Sequence, residues 1–578
     1  MNSKAKRALE LLAPAKNMEC GKAAIDHGAD AVYIGAPRYG ARAAAGNSVD
    51  DIAQLCRYAH QFGAKVYVTV NTIIYDDELD DTRLLLQQLA EARVDAILVQ
   101  DMALVSCHPS LQYHASTQTD NRTAEKVRWL RDLGFSRVVL ARELSVDEIA
   151  AIHRAVPDVE LEVFVHGALC VSYSGQCYAS QHCFGRSANR GECAQFCRMK
   201  FDLTDADGHT IEHDRYLLSL KDLNQSGHLG ELIEAGATSF KIEGRLKDMA
   251  YVKNVTAAYS QLLDRYIAQH SDRYERASLG CCRYTFTPDL RKTFNRGYTT
   301  YFLHGRQPAS GREHSLSNSA IASFDTPKAM GEFVGTVKEL RGTSFTVAGT
   351  ASFSNGDGLC FLVGDASQRC VVGDASKRCS DSSIVGDASK RRVVGDASKR
   401  RVVGDASQRC VVGDASKRCV VGDDSKRRIV GDASKRCVVG DASKRCVVGD
   451  ASKRCVVGDA SKRRVVGDAS KRCSNNKLIG FRINRAEGNR LFPLTMPPGL
   501  LPGTRLYRNN DQQMERLLSK TSAERKILVT MSLRPTTTGF ALTINALLQR
   551  SEASPTMQRS EASPTMQRLE ASPTMQRL

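Results

Sequence analysis

The stretch ELLAPAKNMECGKAAIDHGADAVYIG, residues 10–35, decides the reading of the fold. It opens with an apolar run (10–15), passes through an amphipathic pattern (17–29) and ends in a second apolar run, AVYIG (31–35). The middle segment has helical spacing, and Asn17 stands where a helix start needs a capping side chain. The Gly-Ala pair in HGADAVYIG suits a helix end turning into a strand. The stretch is therefore one strand–helix–strand unit.

The pattern recurs down the chain. KVYVTV (65–70), AILVQD (96–101), LQYHAS (111–116), RVVLAR (137–142), ELEVFVHG (160–167) and SFKIEGR (239–245) are further strand-like runs. Amphipathic helices are expected at 49–62, 77–93, 122–134 and 145–155. FGAKVYVTV and AGATSFKIEG repeat the Gly-Ala signal. Eight runs with crossovers predict an α/β fold, a (β/α)8-type barrel over residues 1–270; an open doubly wound sheet is the alternative.

In such a barrel the strand C-termini form the active-site rim. They are polar here: Asn71, Gln100, Asp101, His114, Ser116, Arg142, Glu143, His166, Glu243 and Arg245. Any one of these would serve equally as a cap or a satisfied buried group. Together, acids, bases and Arg at one mouth suit an anionic substrate.

After the seventh run comes HGALCVSYSGQCYASQHCFGRSANRGECAQFCRMK (166–200). Cys170, Cys177, Cys193 and Cys197 form C-x6-C-x15-C-x3-C, with Cys183 between. Four thiols in a Gly- and Ser-rich loop suit an iron–sulfur cluster. Zinc, or a thiol-rich loop without metal, is the competing reading, since the last pair alone has the tight spacing of a structural zinc knuckle. Arg186, Arg190, Arg198 and Lys200 in the same loop form either a phosphate-contacting patch or a solvated face.

The formal charge of +17 invites a nucleic-acid reading, but its distribution weakens it. Residues 363–473 hold 26 Lys plus Arg against 14 Asp, and eight of the 19 cysteines. That block repeats VVGDASKRC with a nine-residue period, and from Ser551 the chain repeats SEASPTMQR. A unit with two adjacent apolar residues and a Gly-Asp turn has little to bury. ASPTMQRLE can be encoded so that the complementary strand reads SKRCIVGEA, which marks both blocks as one DNA element inserted in opposite orientations. Both then read as passengers; a basic RNA-binding arm is the alternative.

ELLAPAKN, DAVYIG, HGALCVSYSGQC, GRSANRGECAQFCR and SFKIEGRLKDMAYV resemble peptidase family U32, in particular its branch that hydroxylates RNA. The resemblance runs from Leu9 to Gly305, through 325–362, and again over 477–544. It implies a 4Fe-4S cluster on Cys170, Cys177, Cys193 and Cys197, and formation of 5-hydroxycytidine in 23S ribosomal RNA with prephenate as a needed metabolite. Partners would be a single-stranded or splayed region of ribosomal RNA and an electron donor. Rim position then assigns Arg142 or Arg245 to the carboxylates of the donor, with Lys241 in support if it faces the mouth and Asn71 as a further substrate contact. Glu243 and His166 would move protons.

The expected organisation is a barrel (1–270) with the cluster loop at 166–200, an extension (271–330), and a small β domain from 331–362 plus 475–506. The repeat insert (363–474) splits that domain, and a truncated C-terminal module (507–544) runs into the repeat tail (545–578). No signal-peptide pattern and no membrane-length apolar run are present, so a cytoplasmic protein is expected. A collagenase-like peptidase and a non-catalytic RNA-binding homologue are the alternative functions. The first has neither GxSxG nor HExxH to support it.

Overall fold

The computed structural model describes residues 6–41, 46–105, 107–306, 321–363, 477–536 and 539–546, together with ten short strands inside 364–476. β1 (Arg7–Ala15), β2 (Ala31–Gly35), β3 (Lys65–Val70), β4 (Ala96–Val99), β5 (Tyr113–Ala115), β6 (Arg137–Val139) and β7 (Glu160–Ala168) pair in parallel succession. The chain then makes a hairpin of β8 (Phe201–Thr204) and β9 (Thr210–Arg215), and β10 (Asp222–Asn224) adds antiparallel to β7. β11 (Ser239–Ile242) pairs with both β7 and β1, closing an eight-stranded parallel barrel. Closure excludes the open-sheet alternative.

Helices α1 (Met18–Asp26), α2 (Val49–His60), α3 (Leu79–Glu91), α4 (Ala124–Asp132) and α5 (Val146–Ala155) cover the outside. Their starts are chemically specified. Asn17, Ser48, Thr123 and Ser145 each accept a backbone N–H of the first turn, and Ser145 forms a capping box with Glu148. α6 (Ala179–Phe184) lies in the cysteine loop, and α7 (Leu229–Glu234) precedes β11. α8 (Met249–Gln269), which the sequence reading did not propose, starts at Asp248, whose carboxylate accepts from Tyr251 N. Ile25, Ile52, Leu86, Leu130, Ile152 and Val255 are buried in the layer between helices and barrel. Inside the barrel, Leu12, Tyr33, Tyr67, Leu98, Val139 and Phe164 pack together.

Beneath that layer sits a buried ionic network. Glu10 accepts from Tyr67 Oη (2.5 Å), Arg137 Nη1 (2.5 Å) and Ser239 Oγ (2.8 Å). Glu162 accepts from Lys241 Nζ (2.7 Å) and lies 3.4 Å from Arg137. Burial raises the Glu10 carboxyl pKa, but Arg137 and the two hydroxyls outweigh that and hold it below the ordinary value.

Beyond the barrel, β12 (Tyr274–Arg276) pairs with β1, β13 (Cys281–Tyr284) with the strand Ala523–Lys526, and β14 (Tyr298–Thr299) with β10. β15 (Glu332–Arg341), β16 (Ser344–Ala348) and β17 (Gly358–Val363) join strands Lys477–Glu487, Arg490–Pro493 and Arg505–Asn510 in a second, antiparallel closed barrel. Val363 pairs directly with Lys477, so the repeat block leaves and rejoins this domain at the tip of a hairpin. An insertion there is held between two strands already paired, so it costs mainly loop-closure entropy.

The repeats depart from expectation in one respect. Their ten strands form two five-stranded parallel sheets, each strand paired with one 18 residues on, as in Lys417↔Lys435 and Cys419↔Cys437. Each sheet thus takes every second repeat. The SEASPTMQR tail lies outside the described residues. Among the described residues no helix is long and apolar enough to cross a membrane.

Candidate active site

Parallel strands end at one face, and there the polar rim converges on a cavity of about 390 Å³. Asn71, Arg142, Lys241, Glu243 and Arg245 all line it, as do Cys170, Cys177, Cys193 and Cys197 from the loop above. Thr69, Ser116 and Phe164 complete the floor; Ser116 was among the rim residues, and the other two were not singled out. Tyr33 also borders the space.

The charged groups are tied to one another. Arg142 Nη2 donates to Glu243 Oε2 at 2.9 Å, and its guanidinium lies 3.7 Å from the centre of the Phe164 ring. Lys241 reaches down to Glu162; burial lowers the ammonium pKa, and the Glu162 charge offsets only part of that. Arg245 donates to Thr69 Oγ1 and sits 5.6 Å from the Tyr33 ring centre. Asn71 spans the rim, accepting from Ala41 N and donating to Ser116 Oγ, both at 3.0 Å. Glu243 thus faces the cavity as the carboxylate of an ion pair, next to three cationic side chains.

His166 stands apart. β7 and β11 are in register up to Phe164↔Lys241, and the next pair is His166↔Ile242, so β7 carries an extra residue there. A one-residue bulge reverses which face a side chain takes. His166 consequently turns away from the cavity and packs among Tyr251, Tyr259 and Tyr298, with ring centres 5.4–6.0 Å away. Burial drives its pKa down to about 3, and Nε2 has no hydrogen-bond partner among the described residues. Gly167 follows with φ +105°, and a Cβ there would meet the Glu243 carbonyl oxygen at 2.6 Å. Gln100, Asp101, His114 and Glu143 also fall outside the lining; Asp101, for one, caps Ile74 N and Ala103 N.

The cysteine loop is anchored by its own basic residue. Arg198 donates to Leu169 O (3.0 Å), Ser219 Oγ (2.8 Å) and Leu220 O (2.6 Å), pinning both ends of the loop to the barrel. At Gly175 (φ +77°) a Cβ would strike the Gln118 carbonyl oxygen at 2.0 Å, so only glycine lets the loop lie that close. Lys200 pairs with Asp214, and Arg190 with Glu78. Three of the four loop cations are therefore structural fasteners.

The four cysteines of the motif come together: Cys197 feels the charges of Cys170, Cys193 and Cys177. Cys183 is exposed and does not line the cavity. Burial raises the pKa of Cys170 and Cys197, so these sulfurs become thiolates only against a strong positive charge. Gln195 N lies 3.4 Å from Cys193 Sγ and donates to it. Four thiols on one cavity wall form a donor set that could hold a metal centre.

Comparisons with known proteins agree with this architecture. The model of peptidase family U32 matches residues 16–313. A 23S rRNA 5-hydroxycytidine synthase of Escherichia coli is 49% identical over 356 residues, which is 61% of this chain and 52% of that protein. The chain thus spans about half the length of that relative. A tRNA hydroxylation protein of Bacillus subtilis is 37% identical over 51% of this chain and 71% of its own length. A collagenase of Porphyromonas gingivalis is 33% identical over 52% and 74%. With the family's match covering the barrel from α1 through β11 and the cysteine loop, more than half of the chain, the chain belongs to peptidase family U32.

Proposed function

We propose that the chain is an RNA-modifying enzyme that hydroxylates cytidine in 23S ribosomal RNA, using a 4Fe-4S cluster on Cys170, Cys177, Cys193 and Cys197. The observation that carries this is the meeting of four cysteines with Arg142, Lys241 and Arg245 in one barrel-mouth cavity. The kinship with proteins named for rRNA and tRNA hydroxylation supports the substrate class. When bound, the cluster would supply electron transfer beside the reacting base, drawing on an electron donor.

The chain's own residues have separable tasks. Arg142 and Arg245 present planar forks suited to a dicarboxylate metabolite such as prephenate, with Lys241 as a third cation. Asn71 holds the rim segment around Ala41 and Ser116 in place. Among the described residues Glu243 is the one carboxylate lining the cavity, and so the group that would take up or return a proton there. Tyr33, Leu98 and Phe164 give the cavity an apolar floor against which a base turned out of its stack could lie.

A peptidase reading has less support at the site. Among the described residues no histidine lines the cavity, and the Ser–His contacts, His27 with Ser522 and Ser110 with His108, lie elsewhere. Mass spectrometry of nucleosides from 23S rRNA tests the proposal. A strain lacking the gene should lose 5-hydroxycytidine and regain it with the intact chain; unchanged 5-hydroxycytidine in the deletion strain would remove the proposal.

A further inference from the structure

Two exposed tyrosines are mounted in the same way from unrelated segments: Tyr173 lines the cavity, and Tyr75 lies under Arg190, the residue after the lining Asn189. Tyr173, in the cysteine loop, lies under Arg122, whose guanidinium carbon is 3.8 Å from the ring centre. Arg122 is held by Asp120 through two hydrogen bonds of 2.6 and 2.7 Å. Tyr75, on the segment after β3, lies under Arg190 at 4.3 Å. Arg190 is held by Glu78 through bonds of 2.7 and 2.6 Å, and also donates to Ile73 O. Asp120 adopts a left-handed backbone (φ +58°), an uncommon conformation for a residue with a side chain. Both rings remain exposed, Tyr75 at 54% and Tyr173 at 40%.

The charge arithmetic decides what such a mount is for. Each guanidinium is matched by its own carboxylate, so neither stack is a free cation seeking a phosphate. Each stack offers instead a rigid aromatic surface fixed at the entrance. A π-face that is pre-ordered and exposed beside an electropositive cavity suits another π-face, and unpaired nucleobases stack on aromatic rings whatever their sequence. A ring that served only to finish the fold would gain more by packing into the core than by standing half-exposed.

We propose that Tyr75 and Tyr173, each seated on a carboxylate-clamped arginine, are stacking platforms for unpaired RNA bases beside the one that enters the cavity. This rests on the RNA reading above and adds the residues that grip the strand. The test uses the full chain and single-stranded RNA oligonucleotides carrying 2-aminopurine at positions flanking a cytidine, whose fluorescence is quenched on stacking. Binding is measured at about 0.3 M salt, where contacts from the Lys-Arg repeats are suppressed.

Tyr75→Leu and Tyr173→Leu should each weaken binding about tenfold and relieve the quench at one flanking position, with the salt slope and iron content unchanged. Tyr→Trp at either position should restore both. Wild-type affinity and quench in the leucine variants would overturn the platforms. So would a loss that tryptophan fails to restore. The oligonucleotide readout is independent of turnover, so absence of 5-hydroxycytidine from an otherwise active wild-type assay would sink the hydroxylase reading while the platforms were judged on the quench.

Discussion

Replacing Arg137 with Met should destabilise the barrel strongly, and the loss should shrink as the solution is acidified. Arg137 is 4% exposed and bridges Glu10 (4%) and Glu162 (0%) under the cavity floor. Methionine fills similar space but leaves two buried carboxylates with one cation, Lys241, between them. Removing one partner of a buried pair costs about 3–5 kcal/mol, because the remaining charge stays desolvated. At about 2–4 °C per kcal/mol for a domain of this size, the midpoint should fall about 10 °C near pH 8. The sign of the pH effect follows from Glu10. In the native chain its pKa is depressed, so its contribution is present above the unfolded pKa and is lost as pH falls. Without Arg137, burial of Glu10 is opposed only by the neutral donors Tyr67 and Ser239, the pKa moves up, and protonation relieves the variant. The gap in thermal midpoint between wild type and variant should therefore be widest near pH 8 and narrow toward pH 5. Differential scanning fluorimetry across that range measures it. A gap that stays constant, or widens on acidification, would refute the idea that the network is held by Arg137.

Other perturbations separate the parts of the account. Arg245→Lys and Arg142→Lys keep the charge but lose the fork, so 5-hydroxycytidine should fall about 10- to 100-fold in rRNA mass spectrometry with iron content unchanged. Arg142→Lys should in addition lower the thermal midpoint slightly, through its pair with Glu243. Gly167→Ala would force a Cβ against the Glu243 carbonyl at a positive φ, and should cost about 2–3 kcal/mol in denaturant titration while lowering modification. Deleting 364–474 should leave barrel unfolding and iron content intact, because Val363 and Lys477 are already paired; a chain that no longer folds would show the insert to be structural.

Much of the barrel was legible because parallel strands covered on both faces read as unbroken apolar runs. AVYIG and KVYVTV coincide with β2 and β3 to the residue. The rim was legible for the same reason: Asn71, Arg142, Glu243 and Arg245 follow strand ends, with Lys241 just inside the end of β11, and barrel geometry gathers strand ends. His166 was misplaced because a bulge leaves no mark in a single sequence, yet it reverses side-chain parity. α8 escaped notice because its buried face mixes tyrosines with Asn254, Thr256 and Ser260, blurring the apolar stripe. The tyrosine mounts have no periodicity at all; Arg122 and Tyr173 meet only through the fold. The sheets of the repeat block were hidden because their pairing runs between alternate units, not neighbours.

The most direct measurement is iron and acid-labile sulfide in the full chain purified without oxygen, made alongside single Cys→Ala variants. A 4Fe-4S cluster on the four motif cysteines requires about four iron and four sulfide per chain. It requires their loss on replacing Cys170, Cys177, Cys193 or Cys197, and their retention in Cys183→Ala. One zinc per colourless chain, or iron that survives loss of any motif cysteine, would contradict it.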